Sequence, residues 1–142
     1  MTAAGFAIER VSWLSRVRDI IEIHDATWSR STGILDLLAK STECFVIVDE
    51  EGRVRGYCFV EEDRRRGFFE LQDIAVGPDH RNRGLGRTLM ASVMSACPGI
   101  KLMTRAGRPA VSFFRGLGFV QEQIVENYYD VGEDALRMSW TA

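Results

Sequence analysis

FFELQDIAVGPDHRNRGLGRTLMASVMSAC, residues 68–97, divides into a strand, a polar loop with two glycines, and an amphipathic helix. Phe69 to Val76 carries the strand, with Ile74, Ala75 and Val76 as its apolar end. Gly77-Pro78 stops it, because proline has no N–H to give to a central ladder. The loop from Asp79 to Arg83 delivers Gly84-Leu85-Gly86, after which Leu85, Leu89, Met90, Val93, Met94 and Cys97 recur at helical spacing. A glycine-bearing loop that opens a helix presents free backbone N–H groups at the positive end of the helix dipole. That is an anion site, and Arg81, Arg83 and Arg87 add charge around it.

Two nucleotide motifs fail by position. The dinucleotide fingerprint needs glycine at 89, where Leu89 stands. The P-loop needs glycine at 81 and lysine at 87, and both positions are arginine. What fits is R-x-x-G-x-G over Arg81 to Gly86, following an I-A-V-x-P strand and opening a helix. This resembles the acetyl-CoA pyrophosphate loop of the GNAT N-acetyltransferase superfamily. A second stretch, Ala110-Val111-Ser112-Phe113-Phe114-Arg115-Gly116-Leu117-Gly118-Phe119, resembles that family's other signature, A-x-x-F-Y-x-x-L-G-F. Together the likenesses extend from about residue 6 to 140. The C-terminal NYYDVGEDALRM is similar to the end of protein N-terminal acetyltransferases, including the ribosomal-protein alanine acetyltransferases.

Composition agrees with a single domain over residues 1–142. A chain of 142 residues can bury roughly 70% of its unfolded surface. A hydrophobic content of 46% and a net charge of −2 give no bulk basicity for nucleic acid. No segment reaches the ~20 apolar residues of a membrane span, and Met1 to Gly5 lacks the basic region of a secretory signal. Cys44, Cys58 and Cys97 are odd in number, lack metal-ligand spacing and read as reduced packing cysteines, so the expected location is cytoplasmic and no metal is expected.

In chain order, Phe6-Ala7-Ile8 opens a first strand. Ser12 caps a helix through about His24, with Trp13, Val17, Ile20, Ile21 and His24 on one face, where His24 reads as a packing histidine. A second helix is expected from Ser31 or Thr32 to Lys40. Cys44 to Asp49 and Arg53 to Glu61 form a hairpin, and the charge run Glu61 to Gly67 is the solvated tip of the next one. Past the glycine helix come a strand at Ile100 to Thr104 and a helix at Ala110 to Leu117, begun by Pro109 and ended by Gly118. Phe119 to Tyr129 and Leu136 to Trp140 are the last strands. The order β-α-α-β-β-β-α-β-α-β-β predicts an α/β fold with one mixed sheet and helices on both faces, the GNAT acyl-CoA N-acyltransferase fold.

The resemblance implies acetyl-CoA as cosubstrate. Its pyrophosphate would lie on Arg81, Asn82, Arg83, Gly84, Leu85, Gly86, Arg87 and Thr88, its pantetheine along the backbone of Ile74, Ala75 and Val76, with Phe114 beside the sulfur. The opening helix pair borders the acceptor in this family, so Trp28 is a candidate substrate contact as well as a core aromatic. Glu70 stands where the histone acetyltransferase branch has its general base, and Asp73 is the second candidate. On a regular strand the two point to opposite faces. The glutamate that the ribosomal alanine acetyltransferases carry on the following strand is absent, since that strand reads Lys101-Leu102-Met103-Thr104. The family's acidic tyrosine is replaced by Phe114, leaving Tyr128, Tyr129 and Tyr57 as candidate donors. By strand parity Tyr128 and Tyr129 face opposite ways, one toward the acceptor groove.

The function implied is acetyl transfer to a primary amine. The expected partners are acetyl-CoA and an acceptor that is either a protein N-terminus or a small amine. A homodimer is admitted, and neither nucleic acid nor membrane is expected. The missing tyrosine and glutamate also motivate a catalytically weak CoA-binding module, which amine-dependent thiol release would separate from the enzyme.

Overall fold

A computed structural model describes residues 4–27 and 33–142. The elements are β1 (Phe6–Val11), a 3-10 turn at Trp13–Arg16, α1 (Val17–Thr27), α2 (Ile34–Lys40), β2 (Glu43–Asp49), β3 (Val54–Asp63) and β4 (Phe68–Val76). A second 3-10 turn at Pro78–His80 leads to α3 (Leu85–Ala96), β5 (Gly99–Arg105), α4 (Pro109–Gly116), β6 (Val120–Asp130) and β7 (Glu133–Thr141). Trp28, Ser31 and Thr32 lie outside the described residues.

The strands make one sheet in the order β1-β2-β3-β4-β5-β7-β6. Every neighbouring pair is antiparallel except β4 and β5, which α3 connects as a parallel crossover. Helices cover both faces, as the element order predicts. On one face α3 and α4 bury Leu85, Leu89, Met90, Val93, Val111 and Phe114 against Phe45, Ile47, Cys58, Val60, Ile100 and Met138. On the other, α1 and α2 bury Ile20, Ile23, Ile34 and Leu38 against Val46, Val48, Tyr57 and Phe59. β3 serves both cores, with Tyr57 and Phe59 turned to the α1 and α2 side and Cys58 and Val60 to the α3 and α4 side, while Val54, beyond a register shift, joins Tyr57 and Phe59. The three cysteines are buried and free, and burial alone pushes the Cys44 thiol up to about 11.

Two irregularities change which way side chains turn on their strands. In β4, Asp73 pairs with Phe59 but Leu71 pairs with Val60, so Gln72 is an extra residue opposite no partner. In β6, Val125 pairs with Ala135 and Asp130 with Glu133, leaving residues 126–129 opposite Asp134 alone, and Asn127 there has a left-handed φ of 54°.

 The left-handed backbone at Asn127 is tolerated because its side chain closes the turn, Oδ1 accepting from Gly132 N at 2.7 Å while Asp134 Oδ1 accepts from Asn127 N at 3.0 Å.

Candidate active site

The sheet is split between β4 and β5. Their ladder holds only Phe69 with Ile100 and Glu70 with Lys101, and beyond it the two strands part. β5 goes on pairing with β7 as far as Arg105, while β4 goes on pairing with β3 as far as Val76. The β5-facing edge of β4 is therefore open from Leu71 onward. The Arg81 guanidinium donates to the Val76 carbonyl at 3.0 Å, so that carbonyl points away from β3. By alternation the Ile74 backbone points the same way, and the Ala75 backbone is spent on Tyr57 of β3. Of the three residues expected to present backbone, Ile74 turns its N–H and carbonyl to the open edge, Val76 turns its N–H there with its carbonyl held by Arg81, and Ala75 does neither.

The loop that follows is shaped for an anion. Asn82 and Gly84 both have left-handed φ, 63° and 77°, so successive N–H groups converge. Gly84 precedes α3 and its carbonyl accepts from the Thr88 N–H and the Thr88 hydroxyl, both at 3.0 Å. The N–H groups of 85–87 have no intrahelical acceptor. A Cβ on Gly86 would meet the Phe113 ring at 3.5 Å, so that ring lies beside the first turn of α3. Arg83 and Arg87 are exposed at the loop. Arg81 is turned the other way: besides Val76 it donates to Thr27 Oγ1 at 3.0 Å and ties the end of α1 to the end of β4. Leu85 is a core residue, and so is Phe114, packed edge-on between Phe113 and Phe119.

Glu70 and Asp73 lie on the same face of β4, contrary to the parity expectation. The extra residue Gln72 resets the alternation, so that Glu70 opposes Glu61 and Asp73 opposes Phe59, two residues apart on the regular strand β3. Glu70 accepts from Arg137 at 2.8 Å, a guanidinium that reaches over from β7. Burial pushes the Glu70 carboxyl above the usual range, against the pull of Arg137. Asp73 Oδ2 accepts from the Tyr57 hydroxyl at 2.7 Å and lies 3.2 Å from His24 Nδ1, which is also 3.1 Å from the Tyr57 oxygen. Burial raises the Asp73 carboxyl too, outweighing those two partners. Sequence reading did not find this trio, because its members stand on α1, β3 and β4 with nothing in their spacing to join them.

Tyr128 and Tyr129 do not face opposite ways. Their rings meet edge to face at 5.0 Å, and both are exposed, because the four-residue irregularity around Asn127 breaks strand parity. The Arg105 guanidinium lies 4.2 Å over the Tyr129 ring and pairs with Glu133. Burial raises the Tyr129 hydroxyl, with the Tyr128 neighbour adding to it and Arg105 opposing. A cleft of about 170 Å³ beside them is lined by Arg105, Arg108, Glu133 and Asp134. Tyr57, by contrast, is fully buried, with its hydroxyl on Asp73.

A mixed seven-stranded sheet that parts beside a glycine-bearing helix start is the architecture of an acetyltransferase fold, and the chain belongs to the GNAT acetyltransferases, whose domain matches residues 40–121. It is an N-acetyltransferase of that family. A Bacillus subtilis (strain 168) protein that carries a provisional name as a ribosomal protein bS18-alanine N-acetyltransferase is 27% identical over 140 residues, covering 87% of this chain and 89% of the relative. The streptothricin acetyltransferase of Streptomyces lavendulae is 30% identical over 105 residues, covering 67% of this chain and 56% of the relative. The crystal structure of the ribosomal-protein-S18-alanine N-acetyltransferase from Escherichia coli has the same fold, with a TM-score of 0.81 at 21% identity over 96% of this chain and 93% of that one.

Proposed function

We propose that this chain transfers the acetyl group of acetyl-CoA to the α-amine of a protein or peptide N-terminus. The observation that carries the reading is the opening between β4 and β5. Allowing for the extra residue Gln72, Ile74 stands about three regular steps beyond the last paired couple, Glu70 and Lys101, and so about level with Thr104, next to Arg105, across the gap. One wall offers unpaired strand backbone, to which pantetheine amides would bond as a strand does. The other carries Arg105 with Tyr129 and Tyr128 beside it. A thioester on the first wall and a chain end on the second would meet in the gap. An N–H of Ile74 or Val76 would polarise the thioester carbonyl there.

The acceptor's own chemistry favours an α-amine. An α-amine has a pKa near 8, so roughly a tenth is already neutral at pH 7, whereas a lysine near 10.4 would depend on a base far more. Phe114 offers no proton to the departing thiolate, but a thiol near 8.5 leaves without one more readily than an alkoxide would. The Bacillus subtilis relative supports a protein acceptor. The Streptomyces relative supports a small-molecule amine, and that is the alternative the test must separate.

The test is a panel of peptides with varied first residues beside polyamines, streptothricin-type antibiotics and free amino acids, with wild type, Tyr128→Phe and Tyr129→Phe. Peptides are expected to be acetylated, and one Tyr→Phe variant to lose about 5- to 150-fold in kcat/KM, the value of one buried hydrogen bond at about 1–3 kcal/mol. Acetylation of small amines alone, with both variants behaving as wild type, would reject the protein acceptor.

A further inference from the structure

α1 places His24 on its buried face with Ile20 and Ile23, with 6% of the residue exposed. An ordinary core histidine pairs both ring nitrogens or turns one to water. Here Nδ1 is engaged with Tyr57 and Asp73, and Nε2 is buried with no hydrogen-bond partner among the described residues. The Tyr57 hydrogen goes to Asp73 Oδ2. With Asp73 ionised, the only hydrogen that can lie between the imidazole and the carboxylate is on Nδ1. The ring is thereby fixed with the Nε2 lone pair free. A buried polar atom without a partner is where an ordered water binds.

The cluster adjoins the reaction's edge. Asp73 directly precedes Ile74, and the Gln72 irregularity turns it to the face it shares with Glu70. We propose that His24, oriented by Asp73 and Tyr57, holds the proton that the acceptor's ammonium must shed, receiving it at Nε2 through one bridging water. The inference rests on the reading of an amine acceptor beside β4. His24 acts through that water and is a positioning residue, not a group in contact with the amine.

Protons and electrons balance in the step. The ammonium loses one proton to Nε2, and the freed lone pair forms the C–N bond to the thioester carbonyl. Collapse of the adduct breaks the C–S bond, whose electron pair leaves on sulfur. The nitrogen then loses a second proton, which goes to the thiolate, and the imidazolium returns the first to solvent. While charged, the imidazolium faces the Asp73 carboxylate across the Nδ1 hydrogen. The other ionisable groups on elements packed against α1 are Arg16 in the first 3-10 turn, Arg55, Cys58, Glu61, Glu62 and Asp63 on β3, Glu70 on β4, and Asp79 and His80 in the 3-10 turn after β4. Cys44 on β2 stays neutral, its thiol raised to about 11. Among the described residues, hydrogen bonds to the ring come from Tyr57 and Asp73.

The test has two arms. Nitrogen-15 NMR of the ring in the full chain, without acetyl-CoA and at alkaline pH, is expected to show the hydrogen on Nδ1. Asp73→Asn, which removes the carboxylate facing that hydrogen, is expected to release a mixture of tautomers. A hydrogen on Nε2 in wild type would overturn the proposal. The second arm is the pH profile of kcat/KM for wild type and His24→Asn, with acetyl-CoA and an alanine-headed peptide. Asparagine keeps a donor for Asp73 but has no basic nitrogen. The variant is expected to melt as wild type and bind acetyl-CoA equally, yet lose about 10²-fold at pH 7, with the deficit closing as the amine deprotonates itself. A profile that follows wild type would make His24 a packing residue and overturn the proposal. If no peptide is a substrate of wild type, the acceptor reading fails, and the NMR arm still decides on the ring. If His24→Asn does not fold, the tautomer in wild type and in Asp73→Asn decides likewise.

Discussion

Glu70 is the residue whose sequence position most resembles a general base, and its surroundings argue for a different duty. Its carboxylate is held at 2.8 Å by Arg137, and that guanidinium also lies over the Phe68 ring. A base must release its partner to take a proton, and this one is anchored from β7, across the intervening strand β5. Glutamine at 70 keeps an oxygen for Arg137 but cannot accept a proton. Glu70→Gln is therefore expected to lose less than about tenfold in kcat/KM and to keep the shape of the pH profile, since base catalysis is worth 10²–10⁴-fold. Burial raises the Glu70 carboxyl, so a Glu70 base would be protonated and idle below that raised value and active above it. Loss of an acid limb lying above the ordinary glutamate range, on mutation to glutamine, would move the proton role from His24 and Asp73 to Glu70.

Among the elements, the first turn of α3 is the proposed seat of the pyrophosphate, and Gly86 within it leaves room for a small side chain. A Cβ at Gly86 would sit in ordinary contact with Phe113, and the backbone there is not left-handed, so a methyl fits. Gly86→Ala is expected to fold and to bind acetyl-CoA close to wild type. Gly86→Glu is expected to abolish binding in calorimetry, because it sets a carboxylate where the N–H groups of 85–87 meet phosphate. Retained heat of binding by the Glu variant would put the pyrophosphate elsewhere. That loop was legible in the sequence, as was each strand and helix to within a few residues. The β4 irregularity was legible in principle too. The residues turned to the α3 core run Phe69, Leu71, then Ile74, Val76, a switch from odd to even that marks one inserted residue. The β6 irregularity was not, because both faces of that edge strand are exposed and no apolar alternation records its register. The His24, Tyr57 and Asp73 cluster was hidden for another reason. It is made by packing α1 across two strands, and sequence periodicity reports the face a residue occupies, not its neighbour across the core.

Across the whole molecule, the sheet behaves as two halves joined at their base. β1 to β4 pair along their lengths, β5 to β7 likewise, and only two couples, Phe69 with Ile100 and Glu70 with Lys101, link the halves by strand pairing. Apart from the Val76 carbonyl, held by Arg81, the open part of β4 has backbone groups that must be satisfied by water or by a ligand. Acetyl-CoA laid along that edge would act as a short inserted strand. It would pair with Ile74 and Val76 while its pyrophosphate took the N–H groups at 85–87. Hydrogen exchange measures this directly. Saturating acetyl-CoA is expected to slow exchange at the amides of 74, 76 and 85–87 more than at Ala75, whose backbone already pairs with β3. Ligand at about 100 times its Kd should also stabilise the chain by about 2.7 kcal/mol through mass action, raising Tm. Protection confined to 85–87, with 74 and 76 unchanged, would mean that the nucleotide end binds and the pantetheine does not enter the gap. Equal protection along all of β4 would mean that the two halves of the sheet close on each other instead.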